Sequence, residues 1–342
     1  MITTFGEIML RISPKEPAEK IITSTDFEIR PGGSESNVAI ALANLGERSG
    51  FLSLLPDNPL GEKIIRYLRQ ENVDTSHVKQ TGDRLGVYWT ETGLGPRNSF
   101  VIYDRNDSAF TRVKTEDFEW EKVFDKTKWF HFSGISPAVG EKVFEVLQEI
   151  VEICPCHYSV DLNYRDKLWA WLNKDREKIG AVMTKLCKNA RMIAGNESDF
   201  QNVFGFMSRM NDPEKAYSEI AYQCFDKFES LDYVAISNRT SHSATTNEWN
   251  GYLFVRNEQH LAYKGMTYIL DNIADRVGTG DSFVAGIIYG LIRQKTMKWQ
   301  EIIDFAVTLG ALNHSTKGDA SHFSKKDVMT AIKTKGSGRI LR

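Results

Sequence analysis

Cysteine is scarce, with four residues in a chain of 342. That number excludes a scaffold built on disulfides. Cys154 and Cys156 flank Pro155, but no second pair follows at metal-ligand spacing, so all four read as reduced thiols. Long apolar runs are missing too. The longest strongly apolar stretch, 283–292, falls far short of the ~20 residues that cross a bilayer. The opening residues Met1-Ile2-Thr3-Thr4-Phe5-Gly6-Glu7 carry no basic segment ahead of an apolar run, so the expectation is no secretion signal and a cytoplasmic protein. Neither sign of charge dominates. Lys plus Arg number 43 and Asp plus Glu 45, a net charge of −2, which excludes a chain-wide basic footprint for nucleic acid.

What is present is a soluble composition, 41% hydrophobic and 26% charged, and a repeating alternation of elements. Strand-like runs at 2–5, 50–55, 129–132, 157–162, 192–194 and 233–237 alternate with amphipathic segments such as 59–71, 140–153 and 174–188. Strand and helix alternating in this way predict an α/β fold with a mostly parallel central sheet covered by helices on both faces. No linker, repeat or low-complexity tract divides the chain, so residues 1–342 are expected to form a single unit. One segment departs from the pattern. Residues 87–92 and 99–105 are rich in aromatic and β-branched types, and the turn formers of 93–98 lie between them. A hairpin inserted between α/β units follows, and the segments 8–30 and 85–112 are expected to make a small β-sheet lid.

In open parallel sheets, ligands collect beyond the carboxyl ends of the strands. The residues at those ends are polar: Gly6 and Glu7, Ser133 and Gly134, Asp161, Asn163 and Arg165, Asn196, Glu197 and Asp199, Ser237, Asn238 and Arg239. The sharpest motif is Val277-Gly278-Thr279-Gly280-Asp281-Ser282, which leads into the apolar run 283–292. A glycine turn entering a buried helix offers free amides and a positive dipole end to an anion. A carboxylate at its mouth, Asp281, could take a proton from an attacking hydroxyl. Asp as a helix cap and Gly as a turn residue would read the same way without any chemistry. The spacing matches neither Gly-x-x-x-x-Gly-Lys-[Ser/Thr] nor a dinucleotide fingerprint. A second glycine site, Gly32-Gly33-Ser34-Glu35-Ser36-Asn37, precedes a helix of small residues. Its glycines permit close approach to the backbone, and Asn37 can both donate to and accept from hydroxyls.

Taken together, Gly-Gly-x-x-x-Asn-x-Ala at 32–39 and Gly278-Thr279-Gly280-Asp281 near the other end resemble the paired signatures of the ribokinase-like carbohydrate kinase family. The likeness spans almost the whole chain. It implies a ribokinase-like fold, ATP and Mg²⁺ as cofactors, Asp281 as the base, and Gly278, Thr279 and Gly280 as the anion hole for the migrating phosphoryl. The family's Asn-x-x-Glu element stands here as Asn196-Glu197-Ser198-Asp199. Its shortened last residue, Asp199, is implied to act on the metal through water.

Two arginines indicate the substrate. Tyr103-x-Arg105 on the lid and Asp161-x-Asn163-x-Arg165-x-x-Leu168-Trp169 resemble the 2-keto-3-deoxygluconate kinase branch, as does Gly318-Asp319. Guanidinium forks suit a substrate carboxylate better than a neutral sugar. By this likeness Gly33, Asn37, Tyr88, Tyr103, Arg105, Arg165 and Asp319 line the sugar. Asn163, Arg165, Asn196, Ser237, Arg239, Gly278, Gly280 and Asn313 would meet the nucleotide. The turn 93–98 lacks the usual acidic-glycine pattern, and 237–242 lacks the glycines common near the nucleotide. The expected reaction is phosphorylation of the terminal hydroxyl of 2-keto-3-deoxygluconate. A neutral-sugar kinase and a non-catalytic sugar or nucleotide sensor are the rival readings. The lid aromatics make a homodimer through the lid the expected assembly. As surface ion pairs, Arg105 would join Asp104 or Asp107, and Arg165 would join Asp166.

Overall fold

The computed structural model describes residues 1–17, 19–256, 258 and 262–336. Residue 18 of the expected lid segment and 337–342 of the expected 1–342 unit lie outside the described residues. The strands are β1 (Ile2–Phe5), β2 (Met9–Pro14), β3 (Phe27–Gly32), β4 (Ser49–Leu55), β5 (Val78–Gln80), β6 (Val87–Glu91) and β7 (Phe100–Asp104). They continue with β8 (Trp129–Ser133), β9 (His157–Asp161), β10 (Met192–Asn196), β11 (Tyr233–Ser241), β12 (Asn247–Val255), β13 (Ala262–Lys264) and β14 (Tyr268–Leu270). The α-helices are α1 (Ser34–Asn44), α2 (Pro59–Gln70), α3 (Trp120–Asp125), α4 (Ile135–Ala138), α5 (Glu141–Ile153) and α6 (Arg176–Cys187), then α7 (Glu197–Phe204), α8 (Pro213–Lys227), α9 (Thr279–Leu291), α10 (Trp299–Asn313) and α11 (Lys325–Lys333).

The large sheet runs in the order β13-β12-β11-β10-β9-β8-β1-β4-β5, with β14 also on β12. From β11 to β5 every pairing is parallel, and β12, β13 and β14 add an antiparallel edge. Period-two alternation builds a core on each side. On β10, Met192 and Ala194 join α9 and α10, while Ile193 faces the opposite way with residues of α5, α6 and α8. The expected mostly parallel sheet with helices on both faces is therefore what forms. Among the described residues, no helix is long and apolar enough to cross a membrane.

A second sheet, in the order β3-β2-β6-β7, is the lid. β6 and β7 form the expected antiparallel hairpin, β2 and β3 pair antiparallel, and the two halves join through a parallel β2–β6 contact. Register sorts its faces. Arg11, Tyr88 and Tyr103 stand abreast on one face, and Ile29, Ile12, Trp89 and Ile102 on the other. The first set lines the cavity described below.

The helix that carries the sharpest motif is held by close packing. α9 is buried around its whole circumference. It meets α10 through glycines, since a Cβ on Gly286 would lie 2.5 Å from the Ala306 Cα and one on Gly290 2.4 Å from Ile302. Backbone on the far side cannot rotate away as a side-chain tip can, so an added methyl forces the helices apart. Gly286→Ala is therefore expected to destabilise the fold by about 1–3 kcal/mol, read as a lower urea midpoint at unchanged m-value.

Candidate active site

At the carboxyl ends of the parallel strands, beneath the lid, lies a cavity of about 1070 Å³. It takes in the rim residues Glu7, Asp161, Asn163, Arg165, Asn196, Glu197, Asp199, Ser237 and Arg239, the turn 278–281, and Tyr88, Tyr103, Arg105 and Asp319. The lid reaches across it at two places. The Ala244 amide donates to the Gly95 carbonyl at 3.0 Å, and Lys167 Nζ donates to the Val101 carbonyl at 2.8 Å.

The glycine turn behaves as its sequence suggests. Gly278 is the N-cap of α9 with φ +76°, a left-handed conformation open to glycine. It is also pressed against the chain behind it, because a Cβ there would lie 1.6 Å from the Asp319 carbonyl oxygen. A Cβ on Gly280 would meet nothing within 4 Å. The amides of the first turn of α9 have no intrahelical acceptor and lie at the positive end of the helix dipole. Asp281, two residues into the helix, is buried. Its Oδ1 accepts from Ser34 Oγ at 2.7 Å and its Oδ2 from Asn37 Nδ2 at 2.8 Å. Burial raises its pKa, and the bonds from Asn37 and Ser34 partly offset the rise. A carboxylate held this way is a better proton acceptor than an exposed one.

A second acid, Asp161 at the end of β9, has its pKa pushed well up by burial and by the charges of Asp199 and Asp281. Asn163 links the two sites. At φ +39° it donates to Asp161 Oδ2 at 3.0 Å and to Ser34 Oγ at 3.0 Å, with Asp281 Oδ1 at 3.5 Å. Burial raises the pKa of Asp161, Asp199 and Asp281 alike, and Arg165 is the cation shared by this cluster that partly offsets the rise. Desolvation, Arg276 and Arg165 together lower the pKa of Arg239, so three guanidiniums crowd this part of the rim.

Asp199 is committed locally. Its Oδ1 accepts the Tyr164 amide at 3.0 Å and its Oδ2 the Asn196 amide at 2.9 Å, completing a capping box at the start of α7. Among the described residues, no group of three or more His, Cys, Asp or Glu could hold a metal by itself. The carboxylates Asp161, Glu197 and Asp199 line the cavity and suit Mg²⁺, which keeps several waters and binds substrate phosphates with one or two carboxylates.

On the lid side the arginines are not where simple neighbour pairing would put them. Arg105 is buried and forks onto Glu7 Oε2, with Nε at 2.8 Å and Nη2 as the second donor, and Ser108 donates to Glu7 Oε1. Asp104 pairs with Arg84 instead. Arg165 pairs with no acid of its own segment and gives Nη1 to the Tyr164 carbonyl at 2.9 Å. Asp319 takes Arg11 Nη1 on Oδ1 at 2.7 Å and the Tyr88 hydroxyl on Oδ2.

One site expectation changes in the structure. Asn313 does not line the cavity. It is fully buried and donates to the Val277 carbonyl at 3.2 Å, so it braces the glycine turn from behind. A Cβ on Gly32 would meet Tyr88 Oη at 2.3 Å and one on Gly33 the Glu7 carbonyl at 2.2 Å, while Gly33 itself lines the cavity. Asp199 and Asp319 are acids whose oxygens already have protein partners. Sequence reasoning missed Arg11, Asp275 and Ser34. Ser34 sits inside a quoted motif, but nothing adjacent in sequence marks Arg11 or Asp275.

A parallel α/β sheet, a lid, and a carboxylate at the mouth of an amide-lined helix start define a phosphoryl-transfer enzyme acting on a polyol. The comparisons agree. The model of the pfkB family carbohydrate kinases matches residues 1–326, and the chain belongs to that family. A 2-dehydro-3-deoxygalactonokinase from Haloferax volcanii is 30% identical over 341 residues, covering 98% of each protein. The crystal structure of a 2-dehydro-3-deoxygluconokinase from Thermotoga maritima superposes with a TM-score of 0.90 at 35% identity, over 97% of this chain and 99% of that one. A sugar kinase from Pyrococcus horikoshii, solved with ATP, shares the fold at 20% identity and a TM-score of 0.72, over 94% and 96% of the two chains.

The raised pKa of Asp161 has a thermodynamic consequence. Its folded value lies above the unfolded one of about 3.9, so above the folded pKa the buried charge opposes folding, and below about 3.9 it has no effect. Asp161→Asn is expected to stabilise the ligand-free protein by about 1–2 kcal/mol at neutral to alkaline pH. That gain should shrink as pH falls through the raised pKa, measured by urea unfolding across pH 4–9.

Proposed function

We propose that the chain transfers the γ-phosphoryl of ATP to the terminal hydroxyl of 2-keto-3-deoxygluconate, giving the 6-phosphate and ADP. The observation that carries the reading is Asp281, held by Ser34 and Asn37 at the mouth of the α9 amide turn, in one cavity with Arg105 and Arg165. Asp281 takes the proton as the hydroxyl oxygen bonds to phosphorus, and the bond from phosphorus to the bridging oxygen of ADP breaks. The free amides of Thr279 and Gly280 lie against the phosphoryl as its charge shifts. Mg²⁺, bound through water near Asp161, Glu197 and Asp199, would supply charge neutralisation of the phosphates. Arg165, Arg239, Asn163, Asn196 and Ser237 line the nucleotide side. Arg105 and Arg165 hold the acid end of the sugar, while Gly33, Asn37, Tyr88, Tyr103 and Asp319 shape the polyol end. The lid excludes water, which would otherwise accept the phosphoryl. Residues 1–342 act as one unit, with 8–30 and 85–112 as the lid, and the four free thiols suit the reducing cytoplasm.

The names of the two relatives that share a third of their residues with this chain support a keto-deoxy acid as substrate. ADP release across a panel of sugar acids and neutral sugars tests this directly. A keto-deoxy sugar acid should lead the panel, and Asp281→Asn should lower kcat by roughly 10²–10⁴-fold. Arg105→Ala should cost roughly 10- to 100-fold in kcat/KM for the acid and little for a neutral sugar. Preference for a neutral hexose over every acid would defeat the reading. Ligand binding without ADP release, indifferent to Asp281→Asn, would point to a sensor.

We infer further that two copies pair through the lid. Ile29, Ile12, Trp89 and Ile102 form one apolar row across all four strands, with Ile29 52% and Ile102 44% exposed. A row of this kind on the face away from the cavity suits a like sheet. Sedimentation should show a dimer that Ile102→Asp converts to monomer, and a wild-type monomer at all concentrations would refute the pairing.

A further inference from the structure

One buried cation joins the lid to the phosphoryl site. Arg11, on β2, is 4% exposed, and its Nη1 lies 2.7 Å from both Asp275 Oδ2 and Asp319 Oδ1. Thr90 Oγ1, on the neighbouring lid strand, accepts Arg11 Nε at 3.1 Å and fixes the fork. Each acid is tied directly to the anion hole. Asp275 Oδ1 accepts the amides of Arg276 and Val277 at 2.8 and 3.1 Å, the two residues that lead into Gly278. The backbone carbonyl of Asp319 packs on Gly278 so closely that a Cβ would lie 1.6 Å away. Two carboxylates thus stand behind the amide turn, and the positive charge that balances them belongs to the lid.

We propose that Arg11 is a positioning residue that makes the anion hole electrostatically competent only while the lid is closed over the sugar. Arg11 and Tyr88 are register partners on β2 and β6, and both bind Asp319, so lifting the lid sheet removes both contacts together. Asp275 and Asp319 are then left as adjacent acids with no cation between them. Their negative field opposes a phosphoryl group gathering charge at the turn in front of them. Closing the lid restores the guanidinium and cancels that field. Sugar occupancy is thereby coupled to phosphoryl transfer, and ATP without sugar meets a poor anion hole. The inference rests on the kinase reading above but not on which sugar is phosphorylated.

The test is a charge-count series in the full chain, assayed with whichever sugar the panel selects. Arg11→Gln leaves two acids unbalanced and should lower sugar-dependent kcat roughly 10- to 100-fold, with a much smaller change in the KM for ATP. The double variant Arg11→Gln, Asp275→Asn has the wild-type net charge at this point, and the amide oxygen of the new side chain still accepts from residues 276 and 277. It should recover to within about tenfold of wild type. Arg11→Lys, which keeps the charge but not the fork, should lie between the two. A merely structural role predicts the opposite order, with the double variant worse than the single. Arg11→Gln turning over like wild type, or a double variant no better than the single, overturns the proposal. Should Arg11→Gln fail to fold, the double variant decides alone. At least about a tenth of wild-type turnover supports the coupling, and less overturns it. A wild type that uses only neutral sugars defeats the substrate assignment and leaves this series readable, whereas no turnover with any sugar overturns both.

Discussion

The rim of the parallel sheet buries more negative charge than an ordinary protein interior tolerates, and the architecture around it answers that constraint. Glu7, Asp161, Asp199, Asp275, Asp281 and Asp319 are all nearly inaccessible to water. A buried carboxylate without partners would surrender its charge or unfold its surroundings. Each has been given a different solution. Glu7 has a forked arginine and a serine, Asp199 two backbone amides, Asp281 a hydroxyl and an amide group, and Asp275 and Asp319 share one guanidinium. Asp161 has a single side-chain bond from Asn163, and burial together with the charges of Asp199 and Asp281 pushes its pKa well up.

Glycine serves this arrangement at points of backbone contact. Gly278 accommodates the Asp319 carbonyl, Gly33 the Glu7 carbonyl, and Gly286 and Gly290 the neighbouring helix. Each contact brings chain segments far apart in sequence within touching distance at the site. With a side chain at 278, the turn could not rest on Asp319, and the first amides of α9 would point elsewhere. The helix start is therefore fixed from behind by packing and from the side by Asn313 on the Val277 carbonyl.

That division explains what could be read from sequence. The parallel sheet, both helical layers and the lid hairpin follow from periodicity and turn residues, which are local. The glycine turn with Asp281 follows from a contiguous motif whose backbone chemistry is self-contained. Arg11 could not be found in the same way. It sits in a short strand among ordinary neighbours, and its partner Asp319 is 308 residues away. Asn37 and Asp281, 244 residues apart, were each visible only because both belong to motifs of their own. Asn313 illustrates the converse error. A polar residue beside a nucleotide segment invites a ligand role, but a helix presents only one face to the cavity, and position 313 faces inward.

The two arginines assigned to the acid end of the sugar are not equivalent, and the difference bears on how a carboxylate is recognised. Arg105 arrives with its charge already balanced by Glu7, in a buried, rigid fork lying over the Tyr103 ring at 5.8 Å. It can add directed hydrogen bonds, but little net field. Arg165 has no acidic partner in its own segment, and it partly offsets the rise that burial gives the pKa of three acids around it. On the proposed reading, attraction for the substrate acid would come chiefly from Arg165, and orientation from Arg105. A guanidinium preset by a buried carboxylate loses less entropy on binding than a free one. Selectivity for an acid over its neutral analogue would then depend on the pair, because neither the field alone nor the geometry alone distinguishes a carboxylate from a hydroxyl.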